Sequence, residues 1–273
     1  MTRRTLVALL LLAPLAVAAQ PAVEAPLTRV LRAVVRDDGR VDYRRLAAEH
    51  CDDLHAALRA IGAQDPAALR TDAQKTAFLV NAYNAHVLER VLATGATHVE
   101  RQDLFGALFR EPLAVAGQSM TLDQLEHGVL RRQDRVGAVR VPRSLRALRP
   151  ATVDPRIHAA LNCAAVSCPP LLDRAYTAAT LDADLGARWR AFLGSSRAAR
   201  IDGRGRLTLS SLFDWFAEDV EADGDPLGDA ILAGMPRQRA ATYRRHLAGR
   251  SAADLRADAR VRFAYDWTVN RSR

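Results

Sequence analysis

His158, Cys163 and Cys168 follow one another at five-residue steps within the segment from Asp154 to Pro170, and Asn162 stands between them. These residue types support three chemistries. In an oxidising compartment, Cys163 and Cys168 close a small-loop disulfide. With His158 and His127 they could ligate zinc, although the gap between the cysteines is wider than the usual two to four residues. In the third, Cys163 is a thiolate nucleophile with a histidine as base and a carboxamide or carboxylate to orient it. Spacing alone leaves all three open. In a helix a five-residue step puts His158 and Cys163 about 140° apart, and in a strand they face opposite sides, so they meet only if the chain bends between them. His127 is the other candidate base. Asn162, four residues after His158, could share a helical face with it.

Other polar residues fall where burial is expected. Thr121 and Gln124 form a capping-box pattern leading into Leu122, Leu125, Val129 and Leu130, and Glu126 projects within that apolar arc with His127 at its border. A carboxylate aimed at a core must be paired or protonated, so Glu126 is either in a buried ion pair with an arginine or an acid, base or orienting group. Asn81 and Asn84 share one face of an almost wholly apolar helix, where amides need partners and either cross-link a loop or contact substrate. Lys75, the only lysine in the chain, sits in the first turn of that helix, the unfavourable end for a cation, and is either solvated or a ligand for an anion or carboxylate. Tyr265-Asp266-Trp267 reads as a docking strand with Trp267 in the core, while Asp266 satisfies a loop or orients a histidine. Cys51 reads as a small buried hydrophobe.

The elements that must hold these groups are mostly helical. Helical periodicity covers Leu27 to Gly62 with a turn at Gly39. A helix capped by Thr71 or Asp72 runs to about Thr94 and stops at Gly95. Apolar segments around Gly117-Gln118 suggest a hairpin, and Val136 to Val153 an extended loop. A helix from Leu181 to about Leu193 precedes a hairpin at Asp202-Gly203, Ser210 caps Leu212 to Val220, short helices follow to about Ala259, and Arg260 to Trp267 alternates as a closing strand. The sum is an α+β fold: an α-rich single domain, residues 19–273, with a small, mainly antiparallel sheet.

Composition narrows the setting. The chain has 273 residues, 26% charged and 49% hydrophobic, enough for a real core and too mixed for a disordered or fibrous protein. Arg3 and Arg4, the apolar run from Leu6 to Leu12 and the small residues Ala16 to Ala19 follow the order of a secretory signal, expected to occupy residues 1–18. At 14 residues, Leu6 to Ala19 is short of the roughly 20 that a membrane span needs. A cleaved, periplasmic or secreted protein with no integral membrane segment is expected. The net charge of +8 is spread beside acids with no basic stripe, which argues against nucleic acid as a partner.

Lys75-Thr76-Ala77-Phe78 leading to Asn81-Ala82-Tyr83-Asn84-Ala85, then Leu122 to His127 with Leu130-Arg131, then Asp154 to His158 through Cys168-Pro169-Pro170-Leu171, and finally Tyr265-Asp266-Trp267 resemble the family catalogued as domain of unknown function 547. The resemblance implies no activity; relatives fused to glutaredoxin-type domains point towards thiols. The sequence therefore gives two expectations. The first is a cysteine-dependent enzyme for acyl transfer or thiol exchange on a small molecule or peptide, without metal or cofactor. Its catalytic groups would be Cys163, His158, His127 and Glu126, with Lys75, Asn81, Asn84 and Asn162 binding substrate. The second is a non-catalytic binding domain stapled by a Cys163–Cys168 disulfide.

Overall fold

The computed structural model describes residues 22–95, 97–98 and 109–272. The expected signal segment, 1–18, lies outside them. Helix α4, Asp72–Thr94, is the axis. The Thr71 side chain accepts the Gln74 N–H, the Gln74 side chain accepts in return from the Thr71 N–H, and Gly95 ends the helix at φ 63°. Such a cap contributes about 1 kcal/mol. The larger contribution is burial: every residue from Thr76 to Leu88 is enclosed, the polar Asn81, Asn84 and His86 included. Helices α1 (Glu24–Val34), α2 (Tyr43–Glu49) and α3 (Cys51–Ala63) pack around it. Cys51 is half-buried, its sulfur 3.8 Å from a His55 ring nitrogen, and so is not the enclosed hydrophobe expected.

A hairpin of β1 (Leu113–Val115) and β2 (Gln118–Met120) lies against α3. Its turn is Ala116-Gly117, one residue earlier than the sequence suggests. Both turn residues have positive φ, 50° and 69°, as the tightest hairpin connection requires. The expected extended loop carries a two-residue hairpin, β3 (Arg135–Val136) with β4 (Val139–Arg140), and one helical turn at Arg143–Arg146.

A second, smaller core forms around α5 (Leu181–Leu193) and a three-stranded sheet, β5 (Ala199–Ile201), β6 (Leu207–Ser210) and β7 (Val261–Ala264). The β5–β6 hairpin is antiparallel, but β7 pairs with β6 in parallel, so this small sheet is mixed. The helix expected from Leu212 to Val220 is two short turns, α6 (Leu212–Trp215) and α7 (Ala217–Val220), broken at Phe216, whose φ is −118°. The break matters for the site, because Trp215, Phe216 and Asp219 project from it. The whole is an α-rich α+β domain. Among the described residues no helix is long and apolar enough to cross a membrane.

Candidate active site

A cavity of about 320 Å³ opens where the two cores meet, lined by Tyr83 and Leu161 from the larger and Leu212 from the smaller. Clefts of this size between packing units are the usual place for a small ligand. Glu126, His127, His158, Cys163 and Cys168 all reach it. The sequence singled out these five, and three separate segments bring them together.

The cysteine loop is built from amides. Asn84 donates to the Ala160 carbonyl at 3.0 Å and accepts the Asn162 N–H at 2.9 Å. Asn162 in turn donates to the Pro169 carbonyl at 2.8 Å and accepts from the Ala164 N–H at 2.9 Å and the Asn270 amide at 3.2 Å. The Tyr43 hydroxyl closes this chain by donating to the Asn270 side-chain oxygen Oδ1 at 3.0 Å. Ala164 sits at φ 67°, a conformation that L residues occupy at a cost, and these bonds hold it there. The chain past β7 runs alongside the loop: Val166 N–H bonds to Thr268 O at 2.8 Å, Asn270 N–H to Ala164 O at 2.8 Å, and Asp266 N–H to Ser167 Oγ at 2.7 Å. That alignment sets Tyr265 over the two sulfurs.

The Tyr265 hydroxyl lies 3.0 Å from Cys168 Sγ and 3.2 Å from Cys163 Sγ, and the Cys163 backbone N–H donates to Cys168 Sγ at 3.0 Å. Both cysteines are free thiols. The disulfide that the compartment suggested is therefore absent: the loop aims the Cys168 sulfur at a backbone N–H and a phenol instead of at its neighbour's sulfur in bonding range. No three His, Cys, Asp or Glu side chains among the described residues are grouped to hold a metal ion, which leaves the zinc arrangement without a ligand set.

The two thiols differ electrostatically. Burial opposes charge on Cys168, but hydrogen bonds from the Cys163 thiol, the Tyr265 hydroxyl and the N–H groups of Ala165 and Cys163 outweigh it, and its pKa falls below the ordinary thiol value. The Cys163 thiol, donating to that same sulfur and itself desolvated, is pushed well up. Of the two, Cys168 is the thiol that gives up its proton more readily.

Histidine placement follows from two unusual turns. The segment Pro155–Ala159 is a 3-10 helix, started by Pro155 and by the Asp154 side chain accepting the Arg156 N–H, and it ends at once in the irregular cysteine loop. This is the bend that lets His158 and Cys163 face one cavity. His158 Nε2–H donates to Asp219 Oδ2 at 2.8 Å, its ring stacks on Phe216 at 3.9 Å, and its Nδ1 is buried with no hydrogen-bond partner. Gln124–Leu130 is a π-helix, with Arg131 N–H bonding back five residues to Glu126 O at 2.8 Å. The wider turn swings Glu126 and His127 out of the core and into the cavity wall. Wide turns of this kind recur at functional sites.

Beneath the histidines lies Arg131. It donates to Asp219 Oδ2 at 2.5 Å and to Glu218 at 2.6 Å, and another of its nitrogens donates to His127 Nδ1 at 2.9 Å. An arginine can only donate, so His127 Nδ1 is bare and the ring proton is on Nε2. Burial, reinforced by Arg131, holds the His127 pKa below its ordinary value. Desolvation raises the pKa of Glu126 against the pull of His158 and the hydrogen bond of Tyr83, and likewise raises that of Asp123.

The residues expected to bind substrate lie elsewhere. Lys75 Nζ donates to the Arg149 carbonyl at 3.0 Å. Asn81 makes a closed pair with the Tyr176 backbone, 2.8 Å in each direction. Asn84 and Asn162 shape the cysteine loop from behind and do not line the cavity. Asp266 accepts from the Thr268 N–H and orients no histidine; Asp219 does that. Asp219, Arg131, Tyr83, Trp215 and Phe216 escaped the sequence reading. Arg131 stood in the resemblance motif, but nothing about Glu218-Asp219 distinguishes it from a solvated acidic turn.

Residues 66–193 match the model of a family described as a protein of unknown function, DUF547. The matched span holds Glu126, His127, His158 and both cavity cysteines, and ends before Trp215, Phe216, Asp219 and Tyr265. No curated protein and no solved structure matches the chain.

Proposed function

We propose that the cavity is the active site of a thiol-dependent acyl-transfer enzyme, with Cys168 rather than Cys163 as nucleophile. One observation carries the reading: a thiol with a depressed pKa shares a cavity with a histidine that is tied through Nε2 to a buried carboxylate and leaves Nδ1 bare. Nucleophile, base and orienting acid in this relation are the working parts of covalent acyl transfer on several unrelated folds.

In the first half-reaction the Cys168 thiolate attacks the carbonyl carbon of an ester or amide. A C–S bond forms, the C–O or C–N bond breaks, and the departing group takes a proton from Glu126, the carboxyl in the cavity wall whose burial favours its protonated form. In the second, water attacks the thioester and gives its proton to His158 Nδ1. The C–S bond breaks, Cys168 leaves as thiolate, and His158 returns the proton to neighbouring Glu126. Asp219 holds the imidazole and balances its transient charge, as orienting carboxylates do. The net change is substrate plus water to carboxylate, a proton and the leaving group. The N-terminal pattern from Arg3 to Ala19 supports action outside the cytoplasm.

The test is acylation by a series of activated esters, with the adduct located by peptide mass spectrometry. Cys168→Ser abolishes the adduct and Cys163→Ser keeps it on Cys168. An adduct on Cys163 overturns the choice of nucleophile, and no adduct on either cysteine overturns the enzyme reading.

A further inference from the structure

Part of the cavity wall is an aromatic cluster. Tyr265 and Trp267 approach to 4.7 Å between ring centroids, Trp215 and Tyr265 to 4.9 Å, and Trp215 and Trp267 to 5.4 Å. Trp215 is 42% exposed, one of the few large hydrophobic side chains that solvent reaches so freely. An exposed tryptophan built into a three-ring cluster at the edge of a cavity is a contact surface rather than core.

The ionisable groups of the cavity wall, apart from the histidines, are all acids. Asp123, Glu126 and Cys168 line it, and no arginine or lysine does among the described residues, in a chain with 39 basic residues. Arg131 comes near, but its nitrogens are taken by Asp219, Glu218 and His127. Depressed basicity keeps His127 from supplying a compensating charge. Aromatic faces carry negative potential at their centres, and together with the Asp123 carboxylate they attract a cation and repel an anion.

We infer that the cavity selects ligands bearing a cationic, alkylated ammonium group, seated against Trp215, Tyr265 and Trp267 with Asp123 as counter-ion. The inference rests on the reading of this cavity as the substrate site and names its ligand class. An ammonium with alkyl substituents suits an aromatic wall because it sheds water cheaply and has no need of the hydrogen-bond acceptors that a bare ammonium requires.

The test uses three iodoacetyl reagents that differ in charge: the neutral amide, the carboxylate, and the amide of trimethylammonium-ethylamine. In each the thiolate displaces iodide, the C–S bond forming as C–I breaks. Alkylation of the cavity cysteines is followed by peptide mass spectrometry in the full chain, with Cys51, outside the cavity, as internal reference. The cationic reagent is expected to react about tenfold faster than the anionic one at the cavity, relative to the same ratio at Cys51. Asp123→Asn and Trp215→Ala lower that preference, and Trp215→Phe restores part of it. Equal relative rates, or a preference for the carboxylate, overturn the inference. Charge preference without ester acylation keeps the ligand class and sinks the enzyme; acylation indifferent to charge does the reverse.

Discussion

Arg131 and Asp219 form a two-point ion pair whose side chains are only 4% and 9% exposed, and through it one guanidinium reaches both cavity histidines. It contacts His127 directly and His158 through the carboxylate that the two share. Removing one member of such a pair leaves a buried charge unmatched. Arg131→Met is therefore expected to cost about 3–5 kcal/mol, read as a lower urea midpoint at unchanged slope. Arg131→Lys keeps the charge and loses the fork, so it recovers part of the stability but not the tautomer of His127.

Asp219→Asn tests the orienting role separately. The amide can present its NH2 to His158 Nε2, which reverses the ring tautomer and puts the proton on Nδ1. Ester turnover is expected to fall by a factor on the order of 10²–10⁴ with thiol alkylation largely retained. Equal loss of both would mean that the variant has disturbed the cysteine loop.

Tyr265→Phe removes one hydroxyl and little volume. Cys168 then loses one of the donors that stabilise its charge, so the pH at which its alkylation reaches half the plateau rate moves up, while Cys51 in the same molecule does not shift. A stopped alkylation series across pH 5–10, analysed peptide by peptide, reads both (the range spans about the ordinary thiol value).

Asn84→Ala strips two backbone groups of their partners at once, the Ala160 carbonyl and the Asn162 N–H. A loss of about 2–4 kcal/mol is expected by chemical denaturation. Because these groups begin the cysteine loop, selectivity of Cys168 over Cys51 in alkylation should fall in the fraction that remains folded.

His86, buried on α4 with Nε2 3.3 Å from the Ala114 carbonyl, has its pKa lowered to about 4, chiefly by burial. Between that value and the ordinary pKa near 6.5, the unfolded chain binds a proton that the folded chain refuses. Its contribution to stability is thus complete above the ordinary value and lost as pH falls towards about 4. The loss is roughly 3–4 kcal/mol. His86→Gln should flatten that part of the stability profile, measured as unfolding free energy against pH.

Much of the scaffold is legible in the residues because its signals are local. Thr71 with Gln74 and Gly95 bound α4, and the Leu181–Leu193 helix and the hairpin at Asp202-Gly203 follow from periodicity and turn chemistry. The five residues that carry reactive side chains into the cavity were legible too, since polar types among apolar ones stand out. Their relations were not. A π-helix has no sequence signature of its own, so Glu126 read as facing a core and His127 as lying at its border. Spacing could not rank Cys168 above Cys163, because the ranking depends on which sulfur receives the N–H of Cys163 and the phenol of Tyr265. Asn81 and Asn84 were recognisable as buried amides that either cross-link a loop or meet substrate, and packing decides for the loop, whose backbone groups consume them.

Tyr265 lies 97 positions beyond Cys168 along the chain. During synthesis, Cys168 exists for that whole interval without the phenol, and the segment that presses it onto the sulfurs has not yet been made. The nascent thiol is therefore an ordinary one, mostly protonated and slow to react. The phenol reaches the sulfurs only when the segment from Tyr265 to Asn270 docks, so the set of donors that lowers the Cys168 pKa is complete only in the folded chain.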